Sequence, residues 1–190
     1  ARARFYPAIN PLQAYSEDSA ELAKWWRERG HTERERQRRR FLSLLEEQSR
    51  LERMARILGK DALPEGQRLA LMSGELVNDA FLRQNAFSET DRFTSPERQI
   101  AMMRALEHFL DRAGEAVEQG VTVERIRGMD VLRRLRRMGA DIAEDDLGRF
   151  DELGEEIDEA FAEIGVGGGA RGGREEAATA EADADGEEAG

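Results

Sequence analysis

"FLSLLEEQSRLERMARILG", residues 41–59, is the stretch that decides the fold class. Phe41, Leu44, Leu45, Leu51, Met54, Ala55 and Leu58 recur at three- and four-residue steps, with charged and polar residues between them. That spacing lays one apolar stripe along a helix. Gly59 follows as a stop, the residue type that ends helices at the C′ position. A helix is therefore expected from about Thr32 to Leu58, its stripe packed against other helices. The rest of the chain agrees in composition. Six valines occur in 190 residues, and Leu, Ala, Arg and Glu dominate, a balance that favours helix over strand. The expectation is an all-α protein.

Upstream, Ser16 is placed to cap a helix whose first turn carries Glu17 and Asp18. Leu22, Trp25 and Trp26 share one face before Gly30 ends it. Downstream, Pro64 in a first-turn position opens a helix with Leu69, Met72, Leu76, Ala80 and Phe81 on its buried side. "NAFSETDRFTS", residues 85–95, interrupts the pattern as a polar loop carrying Phe87 and Phe93. Ser95-Pro96-Glu97 then announces another helix by cap and N1 proline. Ile100, Met103, Leu106, Phe109 and Leu110 give it a face, and Gly114 weakens it. Val121 to Met138 and Asp146 to Ile164 read as two further helices, each weakly amphipathic. The first is basic and the second acidic, so they are expected to pair by charge as well as by packing. From Gly165 the chain is Gly, Ala and acid, which cannot bury an apolar face, so residues 165–190 are expected to be disordered.

Charge and composition exclude several functions. The formal net charge is −11, and residues 165–190 carry seven acidic and two basic side chains. "RERGHTERERQRRR" concentrates six arginines between Arg29 and Arg40, but Glu33 and Glu35 interleave it and no aromatic residue does. It reads as a solvated helix face, and the net charge argues against nucleic acid as a partner. The absence of cysteine excludes disulfides and thiolate metal sites. No apolar run approaches the roughly 20 residues that span a bilayer, and no signal-peptide pattern appears. A soluble chain is expected, one that could still serve a membrane-bound machine without inserting itself. The two lysines are Lys24 and Lys60; Gly59-Lys60 is followed by Asp61, so no phosphate-cradling loop is present. His31 and His108 lack helical His partners, and pairs such as Glu46-Glu47 and Glu155-Glu156 lie on charged helices. Neither a catalytic residue nor a metal ligand can be assigned.

The aromatic residues Phe5, Tyr6, Phe81, Phe87 and Phe93 remain. Rings that stack on a flat heterocycle need rigid mounting and partial exposure. Pro7 stiffens the backbone after Tyr6, and Phe81 falls on a last helical turn six residues before Phe87. Packing into the core accounts for the same rings comparably, and slightly better, on the residues alone.

Several ordered motifs in one register carry a resemblance. "YPAINPLQAYS" (6–16), "LG" (58–59), "ALPE" (62–65), "FLRQNAF" (81–87) and "SPERQ" (95–99) resemble the C-terminal part of the catalytic A subunit of the V-type and A-type rotary ATPases. "EEIDEAF", ending at Phe161, is similar to that family's closing helix. The resemblance covers about residues 1–164. Pro11 and Ala14 depart from the common tryptophan and serine, Arg83 from the common glutamine, and Phe93-Thr94 from tyrosine-cysteine.

The resemblance implies a division of the chain. Residues 1–15 would be the end of a P-loop nucleotide-binding domain, 16–164 a C-terminal helical domain and 165–190 the disordered tail. It implies an adenine pocket of Tyr6, Phe81, Gln84 and Phe87, with ATP or ADP and Mg²⁺ as the ligands of the full-length protein. The P-loop lysine, the Mg²⁺-binding hydroxyl and the catalytic carboxylate would lie upstream of residue 1. The 190-residue chain alone would then be inactive, a fragment of an ion-translocating ATPase. Implied partners are B subunits in an alternating A3B3 ring and the subunits of a central rotor, in a cytoplasmic head peripheral to the membrane. A stand-alone helical interaction module without ATPase activity is the alternative.

Overall fold

The computed structural model describes residues 19–29, 31–83 and 94–166. Among them every regular element is helical, as the composition implies. The order is α1 (Ser19–Glu28), α2 (Arg34–Leu58), a 3₁₀ turn (Lys60–Ala62), α3 (Glu65–Val77) running into a π turn (Asn78–Leu82), α4 (Pro96–Glu118), α5 (Val123–Arg127), α6 (Asp130–Asp141) and α7 (Gly148–Glu163). The capping of α1 by Ser16 and residues 1–15, expected to include a short extended segment, lie outside the described residues. Of the tail expected to be disordered from Gly165, residues 165 and 166 are described and Val166 is buried in the core, a correction to that bound, while 167–190 lie outside.

Helix α4 is the axis of the core. Ile100, Met103, Leu106, Phe109 and Leu110 are all buried on it, as their spacing requires. Around α4 the main apolar cluster gathers Phe41 and Leu45 of α2, Met72 and Leu76 of α3, Leu132 and Leu135 of α6, and Ile157 and Phe161 of α7. The rings of Phe109 and Phe161 meet at 5.4 Å between centroids. Ser95 caps α4 as its sequence predicts: its hydroxyl accepts from the Arg98 N–H at 3.2 Å, with proline at the helix start.

Helices α2 and α3 form an antiparallel hairpin. Its turn uses Gly59 at φ 87°, a left-handed value that favours glycine. A second, smaller apolar cluster of Leu51, Leu63 and Leu71 holds the tip end together. Further along, the two backbones come close at Gly74, where an added Cβ would lie 2.6 Å from Gln48 Cβ. The last turn of α2 overhangs this packing. Leu58, expected on the buried stripe, is 61% exposed and Ile57 84%, because the chain reverses at Gly59 and α3 covers only the preceding turns.

The expected single helix over Val121–Met138 is broken in two. Gly128 closes α5 and Met129 is extended, at φ −71° and ψ 138°. Geometry explains the break. Val123 and Ile126 are buried on α5, while Val131, Leu132, Leu135 and Met138 are buried on α6. At about 100° per residue, one continuous helix would set these two groups roughly 140° apart around its axis. Only a break buries both. Freed from α5, helix α6 is strongly rather than weakly two-faced, with Arg133, Arg134 and Arg137 outward. The expected charge pairing is present: Arg134 of α6 meets Glu156 of α7 at 2.6 Å, and Arg149 of α7 itself also reaches Glu156 at 3.1 Å.

Candidate functional site

Of the four residues expected to form a base pocket, the structure describes one. Tyr6, Gln84 and Phe87 lie outside the described residues. Phe81 sits in the π turn that extends α3, half-buried. Its ring meets Phe41 of α2 edge to face, with 6.0 Å between centroids, so one side of Phe81 is braced by the core.

The π turn is tied on both sides. The Arg83 N–H donates to the Asn78 carbonyl at 2.9 Å, and Arg83 Nη1 to Asp79 Oδ1 at 2.7 Å. Asn78 Nδ2 donates to Gln48 Oε1 across the hairpin at 3.3 Å. A π turn accommodates one residue more than the α-helical pattern needs, and such turns concentrate where a side chain must be re-aimed. Sequence periodicity gives α3 and Phe81 one face but carries no sign of the changed winding.

Where the described chain resumes, Thr94 and Ser95 are fixed to the frame by a buried cation. Arg98 is fully enclosed. Its Nη2 donates to the carbonyls of Gly139 at 2.7 Å and Ile142 at 2.9 Å, closing the end of α6. Its Nη1 reaches the Thr94 hydroxyl at 3.2 Å and stands 3.7 Å from Glu144. Glu144 in turn accepts from the Ser95 N–H at 2.7 Å. A guanidinium can stay charged in the interior when acceptors surround it in this way. Read from sequence, Arg98 is only an ordinary first-turn residue of α4; its carbonyl acceptors lie 41 and 44 residues away.

A second charged cluster joins α2 to α4. Glu107, nearly buried, accepts from Arg36 at 2.8 and 3.0 Å, from Gln37 at 3.1 Å and from Arg40 at 3.1 Å. Arg40 also reaches Asp111 at 2.5 Å. Burial pushes the Glu107 carboxyl up, but the hydrogen bonds from Gln37 and Arg40 and the charge of Arg36 outweigh it and hold the group below its ordinary value. The arginine run of α2 is thus only partly a solvated face. Arg38 and Arg39 are exposed, whereas Arg36, Gln37 and Arg40 clamp α4.

None of this constitutes reaction chemistry. His108 Nε2 stands 2.9 Å from Asp158 Oδ1, which Arg112 Nε approaches at 3.4 Å, linking α4 to α7. Among the described residues no group of His, Asp or Glu is arranged to hold a metal ion. None of their helices is long and apolar enough to cross a membrane. The arrangement holds an aromatic ring and the start of α4 in fixed places on a rigid helical frame.

Comparison with known proteins gives that frame a family. Residues 23–127 match the family model of the C-terminal domain of V and A type ATP synthase. The chain is 38% identical over 161 residues to the A subunit of the A-type ATP synthase of Methanopyrus kandleri, covering 85% of this chain and 27% of that one. It is 39% identical over 138 residues to the corresponding A subunit from Natronomonas pharaonis, covering 73% and 24%. It is 32% identical over 161 residues to the V-type ATP synthase alpha chain of Halothermothrix orenii, covering 85% and 27%. The chain therefore spans about a quarter of the length of these curated relatives. The matched helices, from the Trp25–Trp26 pair through the hairpin and α4 to α5, place the chain in the family of C-terminal domains of V and A type ATP synthases.

Proposed function

We propose that this domain acts within the catalytic A subunit of a V/A-type rotary ATPase, as the lever that links nucleotide occupancy to the rotor. Phe81, together with Tyr6, Gln84 and Phe87, contributes the adenine pocket for ATP or ADP bound with Mg²⁺. The phosphate-binding and catalytic groups belong to a P-loop domain of the full-length protein. B subunits in an alternating ring and the central rotor are the partners, in a head peripheral to the membrane on its cytoplasmic side.

The observation that carries this reading is the mounting of Phe81. Its ring stands at one end of the α2–α3 hairpin, braced on Phe41, while Ile57 and Leu58 are exposed at the other. The 17 residues from Glu65 to Phe81 span roughly 24 Å at helical rise. A hairpin locked by Gly74 against Gln48 moves as one body, so displacement at the ring end appears at the exposed apolar end. Coupling requires that both sites bias one such element.

The test uses the full-length protein. Replacing Tyr6 or Phe87 by Ala should weaken nucleotide binding by about 1–3 kcal/mol, the usual worth of a ring stacked on a base. Adenine carries no reacting atom, so turnover at saturation should fall less than affinity does. Unchanged affinity in both variants, with folding intact, returns these rings to core packing.

A further inference from the structure

The cleft between the start of α2 and the first turns of α4 is lined by His31, Thr32, Glu33, Arg34, Gln37, Ile100 and Arg104, and its charges are unbalanced. Several other partly or fully buried arginines of the domain meet carboxylates: Arg40 meets Glu107 and Asp111, Arg68 meets Glu65 and Glu124, and Arg112 meets Glu115 and Asp158. Arg34 does not. Its Nη2 donates to the neutral Gln99 Oε1 at 3.1 Å, and its guanidinium carbon lies 4.0 Å over the Trp26 ring. Its Nε is buried without an acceptor. Burial, reinforced by the nearby Arg38 and opposed in part by the charge of Glu35, depresses the Arg34 pKa below its ordinary value.

Across the cleft, Arg104 sits one turn beyond Ile100, exposed and without an ion pair among the described residues. His31 flanks the opening, packed edge to face on Trp26 at 5.7 Å. Helix α2 itself begins at the cleft without a side-chain cap, its Arg34 N–H donating to the His31 carbonyl at 3.4 Å, so the positive end of the helix lies at the same place. The one acid in the lining, Glu33, is exposed and pairs with neither arginine.

We infer that this cleft binds a phosphate-type oxyanion, free or as the phosphoryl group of a nucleotide, between Arg34 and Arg104 with His31 at its edge. The inference does not rest on the proposed base pocket. An oxyanion supplies the acceptor that the exposed, unpaired Arg104 lacks, as a charge-assisted hydrogen bond, and the counter-charge that Arg34 lacks.

The experiment titrates inorganic phosphate, and in parallel ADP, into the 190-residue chain at fixed ionic strength with chloride as reference. Nuclear magnetic resonance follows the Trp26 indole and His31 imidazole signals. Saturable shifts with phosphate are expected, and Arg104→Gln should weaken binding roughly tenfold, as losing one charge-assisted bond does. Arg104 is exposed, so this variant keeps the fold, and Arg125→Gln, an exposed arginine outside the cleft, should bind as the parent does. Tighter, Arg104-dependent binding of ADP than of phosphate would assign the esterified group. Shifts that chloride reproduces, or equal phosphate affinity in Arg104→Gln, would overturn the inference.

Discussion

Glu107 shows how much one carboxylate can organise. Three side chains of α2 converge on it, so removing its charge leaves Arg36 and Arg40 facing a weaker acceptor. Glu107→Gln should destabilise the domain by about 1–3 kcal/mol at neutral pH. The folded pKa lies below the ordinary 4.5. The stabilisation is therefore complete above pH 4.5 and drains away as pH falls through the lower folded value. Denaturant titrations from about pH 7 to about pH 3 should show the difference between parent and variant shrinking at the acid end; a constant difference would contradict the assignment. Two glycines make a second residue-scale contrast. Alanine at Gly74 meets Gln48 Cβ at 2.6 Å, whereas nothing lies within 4 Å of a Cβ at Gly114. Thermal unfolding should show Gly74→Ala lowering stability by about 1–3 kcal/mol through overpacking and Gly114→Ala raising it by about 0.5–1 kcal/mol through helix propensity. Neither the Glu107 cluster nor the Gly74 contact is legible in the sequence. Each depends on a partner in another helix, 67 to 71 residues away for the Glu107 arginines, and local spacing carries no trace of it.

At the scale of elements, legibility follows the range of the forces. The stripe of α2 short of Leu58, the face of α4 and the Ser95-Pro96 start are local patterns, and each stands where periodicity and capping place it. The break at Gly128–Met129 is tertiary: α5 and α6 bury different phases of what reads as one helical run. Phe81 is readable as a ring at the end of a helix, whereas the π winding that aims it is not. The overhanging tip of α2 reads as core because the stripe continues past the point where α3 covers it. With Ile57 and Leu58 already in water, Ile57→Ser with Leu58→Ser should change unfolding free energy by no more than about 0.5 kcal/mol. On the proposed lever reading, the same double variant in the full-length protein should lower the ions moved per ATP. Loss of stability in the isolated domain would show that the tip belongs to the core.

For the whole molecule, the apolar core includes Val166, which lies inside the segment expected to be disordered from Gly165 onward. Val166 is fully buried, and its carbonyl accepts from Arg112 Nη2 at 3.1 Å. Ending the chain after residue 166 should leave the unfolding midpoint nearly unchanged. Ending it after Ile164 should cost about 2–3 kcal/mol, for one valine withdrawn from the core and one acceptor withdrawn from a charged donor. Calorimetry on the two truncations separates these outcomes, and equal midpoints would contradict a core that includes Val166. The division of apolar contacts into two clusters reaches further, into cooperativity. Leu51, Leu63 and Leu71 form a group separate from the large one around α4, so the tip end of the hairpin has little to lose if it parts alone. Amide protons there should exchange with solvent through a shallow local opening, while those in the middle of α4 should wait for global unfolding. Such openings are rare excursions from a ground state in which the hairpin stays whole, and a partner bound at the tip would register as slowed exchange there.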